Sequence, residues 1–147
     1  TVSQPSFTTL EFETGIANNT LLFGSMHQGE HASAQVKLNG IGAISSFTDG
    51  EKYNIGVGRK FNDSLSATLS YTTEEGSSAT GTSLLSPTNG TDTYALGINY
   101  STESVDIAFG YAMSSFGDKA VTTGAGTGNF KNNDATTVGL KLAFKLP

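Results

Sequence analysis

The residues best suited to chemistry lie in His27-Gln28-Gly29-Glu30-His31. Two imidazoles four residues apart, with a carboxylate between them, match the H-x-x-E-H pattern of inverted zinc peptidases. That chemistry needs a helix, which sets the two imidazoles one turn apart on one face with the Glu beside the metal. Here Gly29 sits in the middle, a strand-like run comes directly before, and no long amphipathic helix elsewhere offers a further ligand. His27, Glu30 and His31 are therefore weak metal candidates in a segment that reads as a solvated loop. No metal, cofactor or enzymatic activity is expected. Glu11 and Glu13 are a second candidate set, since paired carboxylates can do acid–base work. They flank Phe12 in an alternating run, so on a strand they lie opposite the Leu10 and Phe12 face. That placement predicts lumenal carboxylates facing Lys141 or Arg59 rather than a catalytic pair. The glycine cluster at residues 124–128 could cradle a phosphate only between a strand and a helix N-terminus. It is followed by Asn-Phe-Lys-Asn-Asn-Asp and a strand, so it reads as a loop.

The elements that would carry these residues are all strands. β-branched and aromatic residues dominate seven segments, 8–16, 20–26, 52–60, 65–73, 91–100, 105–114 and 135–145. Their alternation is unusual. In Tyr53-Asn54-Ile55-Gly56-Val57-Gly58 and Tyr94-Ala95-Leu96-Gly97-Ile98-Asn99, bulky apolar side chains take one face and very small or polar ones the other. Soluble sandwiches usually place charged residues on the face away from their core. A bulky stripe backed by Gly, Ala, Ser and Thr suits a membrane β-barrel, with lipid outside and a polar lumen inside.

The connections support an up-and-down meander. Short turns at residues 17–19, 62–64 and 101–104 use Asn, Asp, Ser and Thr, which favour tight turns through local side-chain hydrogen bonds. Long Gly/Ser/Thr-rich loops are expected at about 27–51, 74–90 and 116–134. Strict alternation of short turns with long loops is the asymmetry of outer-membrane barrels. Leu10, Ile55, Leu96 and Val138 mark a hairpin repeat of about 40–45 residues, with two strands per unit, too few for a propeller blade. Aromatics fall at both strand ends, with Tyr53, Tyr71, Tyr94 and Tyr111 towards the long loops and Phe61, Tyr100 and Phe144 towards the turns. Such rims resemble interfacial girdles.

Composition sets outer bounds. The 147 residues make one domain, with 14% charged residues, 18 Gly, no Cys, no Trp and a net charge of −5. Without Cys there is no disulfide framework and no thiol nucleophile. The eight Lys and Arg are scattered, so no nucleic-acid partner is expected. No apolar run is long enough for a transmembrane helix. The fold expected is all-β, an antiparallel up-and-down meander of about seven or eight strands forming an outer-membrane-type barrel or half-barrel. Seven strands would leave two edges open, which lipid does not tolerate. An eighth strand at residues 33–46, where Ala34, Val36 and Leu38 alternate, would relieve this, as would several chains closing one barrel or a larger polypeptide. The chain starts at Thr1 without Met, so a removed signal peptide or a fragment is expected.

Residues 10–25 (LEFETGIANNTLLFGS), 53–64 (YNIGVGRKFNDS) and 135–144 (ATTVGLKLAF) resemble the C-terminal half of the FadL/TodX family of outer-membrane hydrophobic-compound transporters. The resemblance implies half of a fourteen-stranded barrel, without the family's N-terminal plug, in a Gram-negative bacterium. It implies a bilayer as partner and a small hydrophobic molecule as ligand. It carries over no ligand-binding residues. The chain departs from the pattern at residues 26–31, where relatives carry an Arg- and Trp-rich segment, and in running past Phe144 to Pro147. On this reading Tyr53, Ile55, Val57, Leu69, Leu96, Ile98, Ile107, Phe109, Leu140 and Leu142 face lipid. Gly56, Gly58, Ser66, Thr68, Gly97, Ala108, Gly110 and Gly139 face inward. The other class of function open to these strands is a non-enzymatic, self-assembling structural protein (a surface fibre, coat or virion component) that joins copies through open strand edges.

Overall fold

The alternating runs fold into strands throughout. The computed structural model describes residues 4–33, 37–40, 42–43, 48–76, 89–123 and 126–145. In chain order the strands are β1 (Phe7–Ala17), β2 (Thr20–Gly29), β3 (Lys37–Leu38), β4 (Gly42–Ala43), β5 (Gly50–Lys60), β6 (Leu65–Glu74), β7 (Thr91–Ser101), β8 (Val105–Phe116), β9 (Lys119–Thr123), β10 (Gly126–Phe130) and β11 (Asn133–Phe144). Seven form one sheet in the order β1-β2-β5-β6-β7-β8-β11, antiparallel at every pairing. The meander is thus as expected. Among the described residues β1 and β11 are its two edges, and no closed barrel is present.

Three tight turns connect one end of the sheet. Asn19 adopts φ 57°, and the β1–β2 register slips by one residue between Gly15 and Ala17. That bulge tightens the twist at the turn. Asn62 Oδ1 accepts hydrogen bonds from the Ser64 and Leu65 amides at 2.9 and 2.8 Å. Thr102 Oγ1 accepts from the Ser104 and Val105 amides at 3.3 and 3.1 Å. The side chains thus mimic the backbone bonds of a turn.

The other end departs from expectation. β2 continues through His27 to Gly29, and β5 starts at Gly50, so the first long connection is shorter than residues 27–51. Cross-strand pairing of Gln28 with Glu51 and of Gly29 with Gly50 sustains these extensions. The third connection is not merely a loop, because β9 and β10 form a hairpin above β8 and β11. Of the anticipated eighth strand at residues 33–46, the described strand residues do not join the seven-stranded sheet. Lys37–Leu38 and Gly42–Ala43 pair only with each other; Ala34 and Val36 lie outside the described residues. The glycine cluster at residues 124–128 falls partly at the β9–β10 tip, with residues 124–125 outside the described set.

Among the described residues no second layer covers this sheet. Among the described residues the only buried hydrophobic side chain is Val121, in the β9–β10 hairpin rather than the sheet. The accessible surface is 10281 Å², against about 7,100 Å² expected of a compact monomer of this mass.

Candidate functional site

The register separates the strand residues into two faces. Leu10, Met26, Tyr53 and Thr73 share a row, as do Leu22, Val57, Leu69, Leu96, Tyr111 and Val138. The next rows add Ile98, Phe109 and Leu140, then Tyr100, Ile107 and Leu142. Every residue expected to face lipid lies on this apolar face. Large side chains there stand open to the surroundings, from Phe109 at 36% to Phe144 at 76%. A soluble monomer rarely exposes a contiguous apolar patch above about 300–600 Å². The opposite face carries Asn54, Gly56, Gly58, Ser66, Thr68, Ser70, Ala95, Gly97, Ala108, Gly110 and Gly139, as expected.

The apolar band crosses the hydrogen-bonded rows obliquely. On β1 it runs from Leu10 to Ile16 and on β11 from Val138 to Phe144, centred on Glu13 and Lys141 respectively. The row through Glu13 passes Phe23, Gly56, Ser70, Ala95 and Ala112 and reaches β11 at Thr137. The band therefore drifts along the strands as the sheet is crossed, which is the signature of tilted strands.

Aromatic side chains reinforce both faces. Tyr71 and Tyr94 pack at 4.9 Å between ring centroids near the long-loop end. Tyr53 donates to Glu51 Oε2 and Tyr71 to Asp92 Oδ1, both at 2.5 Å. These rings thus join an apolar body to a polar rim. Two other rings lie on cross-strand glycines. Phe12 covers Gly24 on the apolar face, and Phe23 covers Gly56 on the other. A shallow apolar depression of about 340 Å³ lies over β1, β2, β5 and β6, lined chiefly by Leu10, Phe12, Met26, Tyr53, Ile55 and Tyr71.

The candidate chemical residues are dispersed. His27 sits in β2, with Nδ1 2.9 Å from Thr9 Oγ1, and His31 opens a three-residue 3-10 turn, His31–Ser33. Phe7 contacts both imidazoles, stacked on His27 at 5.5 Å and edge-on to His31 at 5.4 Å. The helix that H-x-x-E-H chemistry needs is therefore replaced by a strand end and a single turn. Among the described residues no cluster of three metal-ligating side chains occurs. Glu11 and Glu13 do lie opposite Leu10 and Phe12. The partners expected for them are not brought near. Arg59 pairs across to Thr20 and Ala67 on the apolar side and lies over the Phe61 ring at 5.9 Å. Lys141 is on the far edge of the sheet.

This arrangement is found in a known structure. A crystal structure of a Pseudomonas aeruginosa FadL homologue matches 94% of this chain with a TM-score of 0.66 and 16% identity. The fold is FadL-like. The chain spans 33% of that protein's length. No protein-family model and no curated protein sequence matches the chain.

Proposed function

We propose that this chain is a FadL-like outer-membrane β-barrel protein of a Gram-negative bacterium, non-enzymatic, which binds or passes small hydrophobic molecules. The observation that carries the reading is the single-layer sheet with a continuous exposed apolar face backed by small and polar residues. Water makes that face costly, whereas a bilayer covers it without any second protein layer. Its strands of 10 to 12 residues suffice to cross a bilayer, which takes about 9–11 tilted residues. The apolar depression near Tyr53 and Tyr71 lies on that outward face and suits a lipid acyl chain of the bilayer. The test is light scattering of the purified chain with and without detergent. A monodisperse particle only in detergent is expected; a discrete particle in plain buffer would overturn the reading.

One observation favours a second reading. β1 and β11 are both open edges among the described residues, and open edges pair with other chains. A soluble structural assembly would cover its apolar faces with neighbouring copies and would form defined particles or polymers without detergent.

A further inference from the structure

We infer that the outward face holds a bilayer lipid whose headgroup carries a primary ammonium, with an acyl chain in the apolar depression and the ammonium at the carboxylates of Glu51 and Asp92. The inference rests on the membrane-barrel reading and names the lipid class that this face selects. The depression, about 340 Å³, is lined chiefly by apolar side chains, Tyr53 and Tyr71 among them. Both tyrosine hydroxyls end on carboxylates: Tyr53 donates to Glu51 Oε2 and Tyr71 to Asp92 Oδ1. Glu51 precedes Tyr53 by two residues in β5, and Asp92 shares the cross-strand row of Tyr53 and Thr73, so both acids belong to the outward face. Tyrosines with one apolar and one wet end sit at the headgroup level of a bilayer. A chain lying in the depression therefore brings its headgroup to these two carboxylates.

Charge selects the headgroup. Residues 61–118 contain no Lys, Arg or His. Among the described residues Arg59 is the only cation at an outward position of the sheet, and it lies near the tight turns. Lys52, the neighbour of Glu51, alternates onto the inner face, in the row of His27 and Glu74. The ion pairs among the described residues, Lys60 with Asp63 and Lys145 with Asp106, also lie at the turn end. Glu51 and Asp92 thus meet hydroxyl donors but no cation of the described residues. A carboxylate offers about four acceptor sites, and a hydroxyl fills only part of that capacity. At a partly dehydrated interface the strongest further partner is an ionised N–H donor. A primary ammonium supplies three N–H groups, a trimethylammonium supplies none, and an anionic headgroup meets like charge. β5 and β7 flank β6, so their backbones stand about 10 Å apart. Glu51 and Asp92 accordingly do not chelate a single metal ion, and the described residues include no metal-ligating cluster.

The test is native mass spectrometry of the full chain, released from detergent after incubation with dioleoyl phosphatidylethanolamine, phosphatidylcholine or phosphatidylglycerol. The ethanolamine lipid is expected to be retained about tenfold more than either of the others. That preference should vanish in the isosteric Glu51→Gln, Asp92→Asn double variant. Asp63→Asn, which removes a carboxylate at a tight turn, should keep it. Equal retention of the three lipids by a particle that needs detergent overturns the headgroup site and leaves the membrane reading standing. Retention of the glycerol lipid that depends on added magnesium overturns the site in favour of a cation-bridged phosphate. An ethanolamine preference unchanged in the double variant puts the headgroup elsewhere and overturns it as well. A particle that is monodisperse without detergent and retains no lipid overturns the membrane reading and the site together.

Discussion

At the residue scale, which face a side chain occupies decides what a substitution does. Leu140 and Gly139 are neighbours in β11 on opposite faces, and a Cβ at Gly139 would meet nothing within 4 Å. Arginine at Leu140 should cost about 2–4 kcal/mol of folding stability in a bilayer, and arginine at Gly139 much less. Gly97 is a poorer site for the comparison, since a Cβ there would lie 2.7 Å from Thr68 Oγ1. Equal losses for the two arginines, measured by urea unfolding in lipid vesicles, would refute the assignment of faces. The aromatic-over-glycine pairs make a sharper case. A Cβ at Gly56 would lie 2.3 Å from Phe23 Cζ and 2.9 Å from the Leu69 carbonyl oxygen. Neither can yield without moving a ring and a strand, so Gly56→Ala should destabilise by about 1–3 kcal/mol. Gly139→Ala should be neutral or stabilising, because it lowers the entropy of the unfolded chain without a clash.

At the scale of the elements, the tight turns depend on local chemistry that the sequence displays. Asn19 holds φ 57°, a conformation glycine adopts freely and β-branched residues resist. Asn19→Gly should therefore preserve the β1–β2 hairpin, while Asn19→Val should lower stability by about 1–2 kcal/mol, read as a shift in unfolding midpoint. The 62–64 turn adds an ion pair, Lys60 to Asp63 at 2.8 Å. The hydrogen bond and charge of Lys60 hold the Asp63 carboxyl below its ordinary value. That sign means the pair helps above the usual carboxylate range and is lost as pH falls through the lowered value. Both groups are exposed, so salt should weaken an already small contribution.

At the scale of the whole molecule, the oblique band predicts how the strands stand in a membrane. If the band lies level, its drift of four residues across six strand spacings corresponds to a strand tilt of about 25–30°. This is slightly less than the roughly 35–45° of transmembrane barrels. Polarised infrared spectra of oriented bilayers containing the chain should give an amide I dichroism matching that tilt. Strands lying flat on the bilayer would contradict it.

Much of this molecule was legible before any coordinates, because its strands obey a period of two and their turns announce themselves through Asn, Asp and Thr. Both face assignments, all seven sheet strands and the three tight turns followed from local alternation alone, which depends only on the direction of successive side chains along an extended chain. What local pattern could not reveal was anything set by pairing at a distance. The extension of β2 through His27 to Gly29 rests on β1 and β5 lying beside it, which turned a candidate metal loop into a strand end with Phe7 against both imidazoles. The β9–β10 hairpin formed from residues too rich in Gly and Thr to read as strands. The sites of Arg59 and Lys141 relative to Glu11 and Glu13 depended on register and strand order, which no single segment encodes. Sequence alone determined which residues share a face; only the tertiary structure decided which strands are edges and which charges stand at the same height, because those are relations between strands rather than properties of one.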